Sequence, residues 1–137
     1  MSGWPNLDEL LVGADANAPA ALLGVPLAAG SVTPGACDRA PELLRRTLRR
    51  IGRYDIESGH ELETEVADLG DVEVAGLSIE DATDPIRKAV AQSAERHALT
   101  LLVGGNNAVT RPALLGLGGD LAEIGLITLD AHFDMRD

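Results

Sequence analysis

The sequence predicts an α/β fold: a parallel sheet with helices on both faces, in three layers. Residues 21–27, 66–72, 99–103 and 126–129 are short apolar runs of strand length. Segments with helical spacing lie near residues 41–51, 85–97 and 108–117, so strand and helix alternate along the chain. That order implies parallel strands joined by right-handed crossovers. Residues 99–103, Leu-Thr-Leu-Leu-Val, are also apolar on both faces, as strands covered on both sides are.

Taken in order, residues 1–20 are mixed and rich in Ala, Pro and Asn, with one short amphipathic piece at Leu7, Leu10 and Leu11. They are expected to form an N-terminal arm, leaving 21–137 as the domain. The first strand ends where Pro26 removes a ladder donor, and Gly30, Pro34 and Gly35 mark a loop. A helix then opens with Asp38 or Arg39 near its cap and Pro41 in its first turn, and Leu44, Leu48 and Ile51 line one side. Arg45, Arg46, Arg49, Arg50 and Arg53 occupy much of the rest. A solvated helix face explains such a row. Its functional alternative is an acidic partner surface, most simply the acidic remainder of a neighbouring subunit, which makes a homo-oligomer the expected assembly.

Residues 57–65 are polar and read as a loop carrying His60, which has no second ligand at strand or helix spacing. The second strand ends in Gly70-Asp71. Asp84 is expected to cap a helix beginning at Pro85, with Ile86, Ala89, Val90 and Ala94 as its buried stripe. His97 falls in the last turn, where the helix dipole favours it. The third strand runs into Gly104-Gly105-Asn106-Asn107, and a helix carrying Pro112 follows until Gly116, Gly118 and Gly119 close it.

At 137 residues the chain has room for one domain, and its 45% hydrophobic and 24% charged residues are a globular balance. Trp4, Tyr54 and Phe133 are the only aromatics, so Leu, Val, Ile and Ala must build the core. A net charge of −11 repels phosphate backbones, and no stretch interleaves basic with aromatic residues, which argues against nucleic acid as a partner. The single cysteine, Cys37, cannot close an internal disulfide, and no apolar run approaches a membrane span or a secretion signal. The sequence therefore reads as that of a soluble, cytoplasmic protein.

The sharpest chemical signal is Asp130-Ala131-His132-Phe133-Asp134, directly after the predicted strand at 126–129. In an extended chain alternate side chains share a face, so Asp130, His132 and Asp134 project to one side. Two carboxylates and an imidazole at the carboxyl end of a strand form half of a site for a hard or borderline divalent metal. Strand ends are wet, and a plain solvated acidic cluster is the alternative. Gly104-Gly105-Asn106-Asn107 belongs at the same end of the sheet, where ligands of open α/β sheets collect. A phosphate-cradling role for it is weakly supported, because no third glycine completes G-x-G-x-x-G and no Gly-Lys-Ser/Thr follows.

Together these motifs resemble the ureohydrolase family, which comprises arginase, agmatinase and formimidoylglutamase. Its landmarks are matched in order by Gly24-Val25-Pro26, by Pro34-Gly35 with Arg39 and Pro41, by Asp68-Leu69-Gly70-Asp71, by Gly104-Gly105 through Thr110, and by Asp130 to Asp134. The wording Asn-Asn-Ala-Val-Thr-Arg-Pro and the ending Phe-Asp-Met-Arg-Asp look closest to the formimidoylglutamase-like branch. The resemblance implies an arginase-like fold, truncated here, with one or two Mn²⁺ ions and hydrolysis of the linear C–N bond of a small guanidino or formimino substrate. Bound metals would activate water for attack on the planar carbon. Asp130 would bridge the metals, and His132 and Asp134 would each hold one.

Two departures qualify this. The family loop reads Gly-Gly-Asp-His and its His binds a metal, whereas Asn106 and Asn107 stand at those positions here. A neutral amide oxygen is a poorer ligand than imidazole, so Asn107 marks a degraded position and one metal site should be weakened. The family's second aspartate pair and its substrate-reading residues lie beyond the D-A-H-x-D segment. The chain thus resembles the N-terminal part of such an enzyme, inactive by itself, and residues 126–129 would lack the strands that flank them in the family. A non-catalytic relic or interaction module that keeps the fold is the rival reading, and metal content separates the two.

Overall fold

The computed structural model describes residues 4–31 and 35–130. Four parallel strands form the main sheet: β1 (Leu11–Val12), β2 (Ala20–Val25), β5 (Val66–Asp71) and β6 (Leu99–Gly104), in the order β1-β5-β2-β6. A two-residue antiparallel pair, β3 (Tyr54–Asp55) and β4 (His60–Glu61), stands apart from it. The helices are α1 (Ala40–Leu48), α2 (Ile79–Arg96) and α3 (Thr110–Gly116). Strand, helix, strand, helix, strand, helix is the order expected, and the parallel sheet follows from it.

β2 is central, and all six of its residues are buried. It pairs with β6 in unbroken register from Ala20↔Leu99 to Val25↔Gly104. Against β5 the register shifts between Leu22 and Gly24, so that Gly24 meets Asp71. The main core gathers Leu23, Val25 and Leu27 with Ile86 and Val90 of α2 and with Val109. The opposite face is covered by α1. There, a Cβ on Gly24 would press on Pro41 and on the Asp71 carboxylate, so only glycine lets helix and strand approach so closely. Within residues 1–20, β1 adds a short strand to the outer edge of β5 and Leu10 is buried.

Four expectations change. α2 begins at Ile79, six residues before Pro85. Ser78 is its N-cap: the hydroxyl accepts from Asp81 N–H at 3.1 Å and donates to the Asp81 carboxylate at 2.9 Å. Pro85 lies inside the helix, and Asp84, instead of capping, pairs with Arg87 and Lys88 one turn on. Residues 57–65 are not wholly loop, since His60 and Glu61 close the small hairpin. β6 is not covered on both faces, because Leu99 and Leu101 are exposed. Last, residues 126–129 form no strand: Leu126 is 61%, Ile127 88% and Leu129 98% exposed. An apolar run becomes a buried strand only beside another strand, and none of the described residues pairs with it.

Among the described residues no helix is long and apolar enough to cross a membrane.

Candidate functional site

At the carboxyl end of β6 the chain turns through Gly104 and Gly105. Gly105 N–H donates to the Val25 carbonyl at 2.9 Å, tying the turn to the end of β2. A Cβ on Gly105 would collide with the backbone of Leu27, so the second glycine is required by close approach of two backbones. Asn106 then fixes the loop from both ends of its amide. Its oxygen accepts from Ala108 N–H at 2.8 Å and its nitrogen donates to the Ala29 carbonyl at 2.6 Å. Asn107 opens a 3-10 turn (Asn107–Val109) that leads into α3, and its amide oxygen accepts from the Thr110 hydroxyl at 3.0 Å.

The loop forms one wall of a cavity of about 700 Å³ on the α2 side of β6. Thr100 and Leu102 supply its floor, Leu114 of α3 and Leu117 just after it a side, and Asn106, Asn107 and Asp130 its polar rim. Two residues picked out from separate motifs, Asn107 and Asp130, thus line one cavity at the carboxyl ends of the strands. His132 and Asp134 lie outside the described residues. Among the described residues, no three His, Cys, Asp or Glu side chains cluster as a metal site would need. The polar residues that line the cavity, an aspartate and two asparagines, carry hard oxygens, which suit Mn²⁺ or Mg²⁺ better than a softer ion.

The remaining histidines are elsewhere. His60 is exposed on the hairpin. His97 is buried at the amino end of β6, and its Nδ1 lies 2.8 Å from the Ala18 carbonyl, to which it donates. That placement ties α2 to the segment entering β2, a packing role beyond the helix-dipole effect expected.

A second polar cluster sits at the carboxyl end of β5. Arg45 lays its guanidinium across both Asp68 oxygens at 2.8 Å, the Gly70 carbonyl at 3.0 Å and Asp71 at 2.6 Å. Burial pushes the Asp68 carboxyl up, but hydrogen bonds from Arg45 and Gly70 N–H, with the Arg45 charge, outweigh it and hold the group below its ordinary value. The hydrogen bond to Asp68 outweighs burial in the same way and raises Arg45. This clamp joins α1 to the carboxyl end of β5. Sequence reasoning missed it because the partners are 23 and 26 residues apart, beyond any helix or strand period. Arg49 reaches Asp8 at 3.8 Å and Arg53 reaches Glu61 at 3.0 Å, so part of the arginine row is absorbed within its own chain.

The arginase family model matches residues 18–137. The chain is 25% identical to formimidoylglutamase of Halalkalibacterium halodurans over 119 residues, covering 85% of this chain and 37% of the relative. It is 29% identical to the mitochondrial agmatinase of Gallus gallus over 120 residues, covering 86% of this chain and 35% of the relative. Among solved structures it superposes on Trypanosoma cruzi formiminoglutamase with Mn²⁺ at a TM-score of 0.80 and 25% identity, over 98% of this chain and 47% of that one. Formimidoylglutamase of Bacillus subtilis shares the fold at a TM-score of 0.75 and 21% identity, over 85% of this chain and 38% of that one. The chain thus spans a little over a third of the length of these sequence relatives.

Proposed function

Because the chain belongs to the arginase family, we propose that it is the N-terminal, metal-holding part of a manganese-dependent hydrolase of linear C–N bonds, with a small guanidino or formimino compound as substrate. The observation that supports this most is the shared cavity. Asn107 after β6 and Asp130 at the head of the D-A-H-x-D segment line it together, although 23 residues separate them. Asp130, His132 and Asp134 would hold the metal, and Asn107 would offer a weak amide oxygen in place of a stronger donor. Manganese bound there would supply a Lewis acid that polarises the reacting carbon and makes water a better nucleophile. The chain's own contribution is placement. Gly105 and Asn106 fix the loop, Thr110 orients the Asn107 amide, and Leu102, Leu114 and Leu117 give the cavity its apolar lining. Formimidoylglutamases and hydrolases of guanidino compounds both stand among the relatives, and the Asn-Asn-Ala-Val-Thr-Arg-Pro wording favours the formimino branch.

Metal binding by the purified protein is the test. Mn²⁺ should bind and Asp130→Ala should abolish the binding, measured by titration calorimetry. The 137 residues alone should release no urea, ammonia or formamide from arginine, agmatine or formimidoylglutamate. A protein that binds no Mn²⁺, with Asp130→Ala behaving the same, would support the rival reading of a non-catalytic module that keeps the fold.

A further inference from the structure

Neither metal-site motif includes the loop after β2, residues 26–31, yet Asn106 is joined to it. The Asn106 amide nitrogen donates to the Ala29 carbonyl at 2.6 Å while its oxygen accepts from Ala108 N–H at 2.8 Å. The partners fix which end of the amide is which, because a carbonyl can only accept and a backbone N–H can only donate. One planar group thus spans two loops whose joined residues are 77 apart in sequence. The loop it grips is itself held. Ser31 N–H donates to the Ala28 carbonyl at 3.2 Å, closing a turn, and Ala29 packs against the main core. Inside that turn Gly30 has φ +84°, and a Cβ there would run into the Ile79 side chain at the start of α2.

From this we infer that the loop after β2 sets the position of the Asn107 loop, with Asn106 as the positioning residue that transmits it. Asparagine is required for both contacts at this reach. Serine or aspartate would still cap the 3-10 turn at Asn107–Val109, but serine is too short to reach Ala29 and aspartate has no hydrogen to donate. With either residue the partly buried Ala29 carbonyl loses this donor, which is costly. A role confined to capping therefore tolerates both replacements, whereas a role in positioning tolerates neither. Residues remote from the cavity then act on it. Gly30 does not line the cavity, but Gly30→Ala would push the turn away from Ile79 and carry Ala29, Asn106 and Asn107 with it. The link between the loops is a matter of packing and hydrogen bonding; its use in holding a metal rests on the function proposed above.

Amide hydrogen exchange of the full 137-residue protein, followed residue by residue by nuclear magnetic resonance, reads the link without metal. In Asn106→Ser and in Asn106→Asp the Gly105 and Val109 amides should exchange about five- to tenfold faster relative to those of β2. Gly30→Ala should speed the same amides, and should add nothing once Asn106 is replaced by serine, because the link is then already cut. Mn²⁺ affinity, measured by calorimetry, should fall about tenfold in Asn106→Ser, which brings no new charge to the rim. Loop amides that keep their rates in both Asn106 variants would overturn the inference. Additive effects of Gly30→Ala and Asn106→Ser would overturn it as well, and so would Mn²⁺ bound with equal affinity by Asn106→Ser and the unaltered protein. If the unaltered protein binds no Mn²⁺, the metal reading fails, and faster loop exchange in the variants still upholds the link.

Discussion

Gly105→Ala should destabilise the fold by about 3 kcal/mol or more, the range of core substitutions that force backbone apart. The cause is space alone. Gly105 is not among the glycines with positive φ, so alanine could adopt its backbone angles, but the added carbon would overlap the Leu27 backbone. Leu27 cannot retreat, since it is buried in the main core beside Val25 and Ile86. Relief must come from the turn itself, which would break the Gly105 hydrogen bond to Val25 and displace Asn106 and Asn107. Gly118→Ala is the control: its φ is +71° with nothing near the added carbon, and it should cost only about 1 kcal/mol. Urea unfolding of both variants measures the difference. Equal, small losses would mean that the close approach of the turn to Leu27 does not constrain the site.

Arg45→Met should cost about 1–3 kcal/mol near neutral pH, because two partly exposed carboxylates would be left side by side without their cation. The pH dependence carries a sign. Asp68 is lowered in the folded chain, so its contribution is fully present above the unfolded value, near pH 4, and is lost as pH falls through the folded one. Arg45 is raised, so its contribution is present throughout the acid and neutral range. The unaltered protein should therefore lose stability on acidification below about pH 4, while Arg45→Met loses less, and the gap between them should narrow. Denaturation at neutral pH and near pH 3 tests this. A gap that stays constant with pH would show that Arg45 stabilises by packing its stem rather than by its charge.

Period and punctuation made the sheet legible. β2, β5 and β6 lie within two residues of their expected bounds, and α1 and α3 fall where Pro41 and the Gly116 region place them. Other features needed partners that no local pattern names. The Ser78-x-x-Asp81 cap was present in the sequence, but Pro85 looked like a helix start and masked it. Residues 126–129 have strand composition, yet composition does not supply a neighbour. The Arg45 clamp joins residues brought together only by the crossover from β2 to β5. Of the site, Asn107 and Asp130 were both recognisable from their motifs, and their meeting in one cavity is what the folded chain adds.

Mn²⁺ titration of Asn107→His shows whether Asn107 and Asp130 meet at one metal. Asn107 is the first residue of a 3-10 turn, a backbone that histidine can adopt, while Gly105 and Asn106 hold the loop, and the exchange replaces a neutral amide oxygen with an imidazole nitrogen. One Mn²⁺ should bind about tenfold more tightly, or about 1.4 kcal/mol, and adding Asp130→Ala should erase the gain. Unchanged affinity and stoichiometry in Asn107→His would contradict the account, because Asn107 and Asp130 would then not face a common metal.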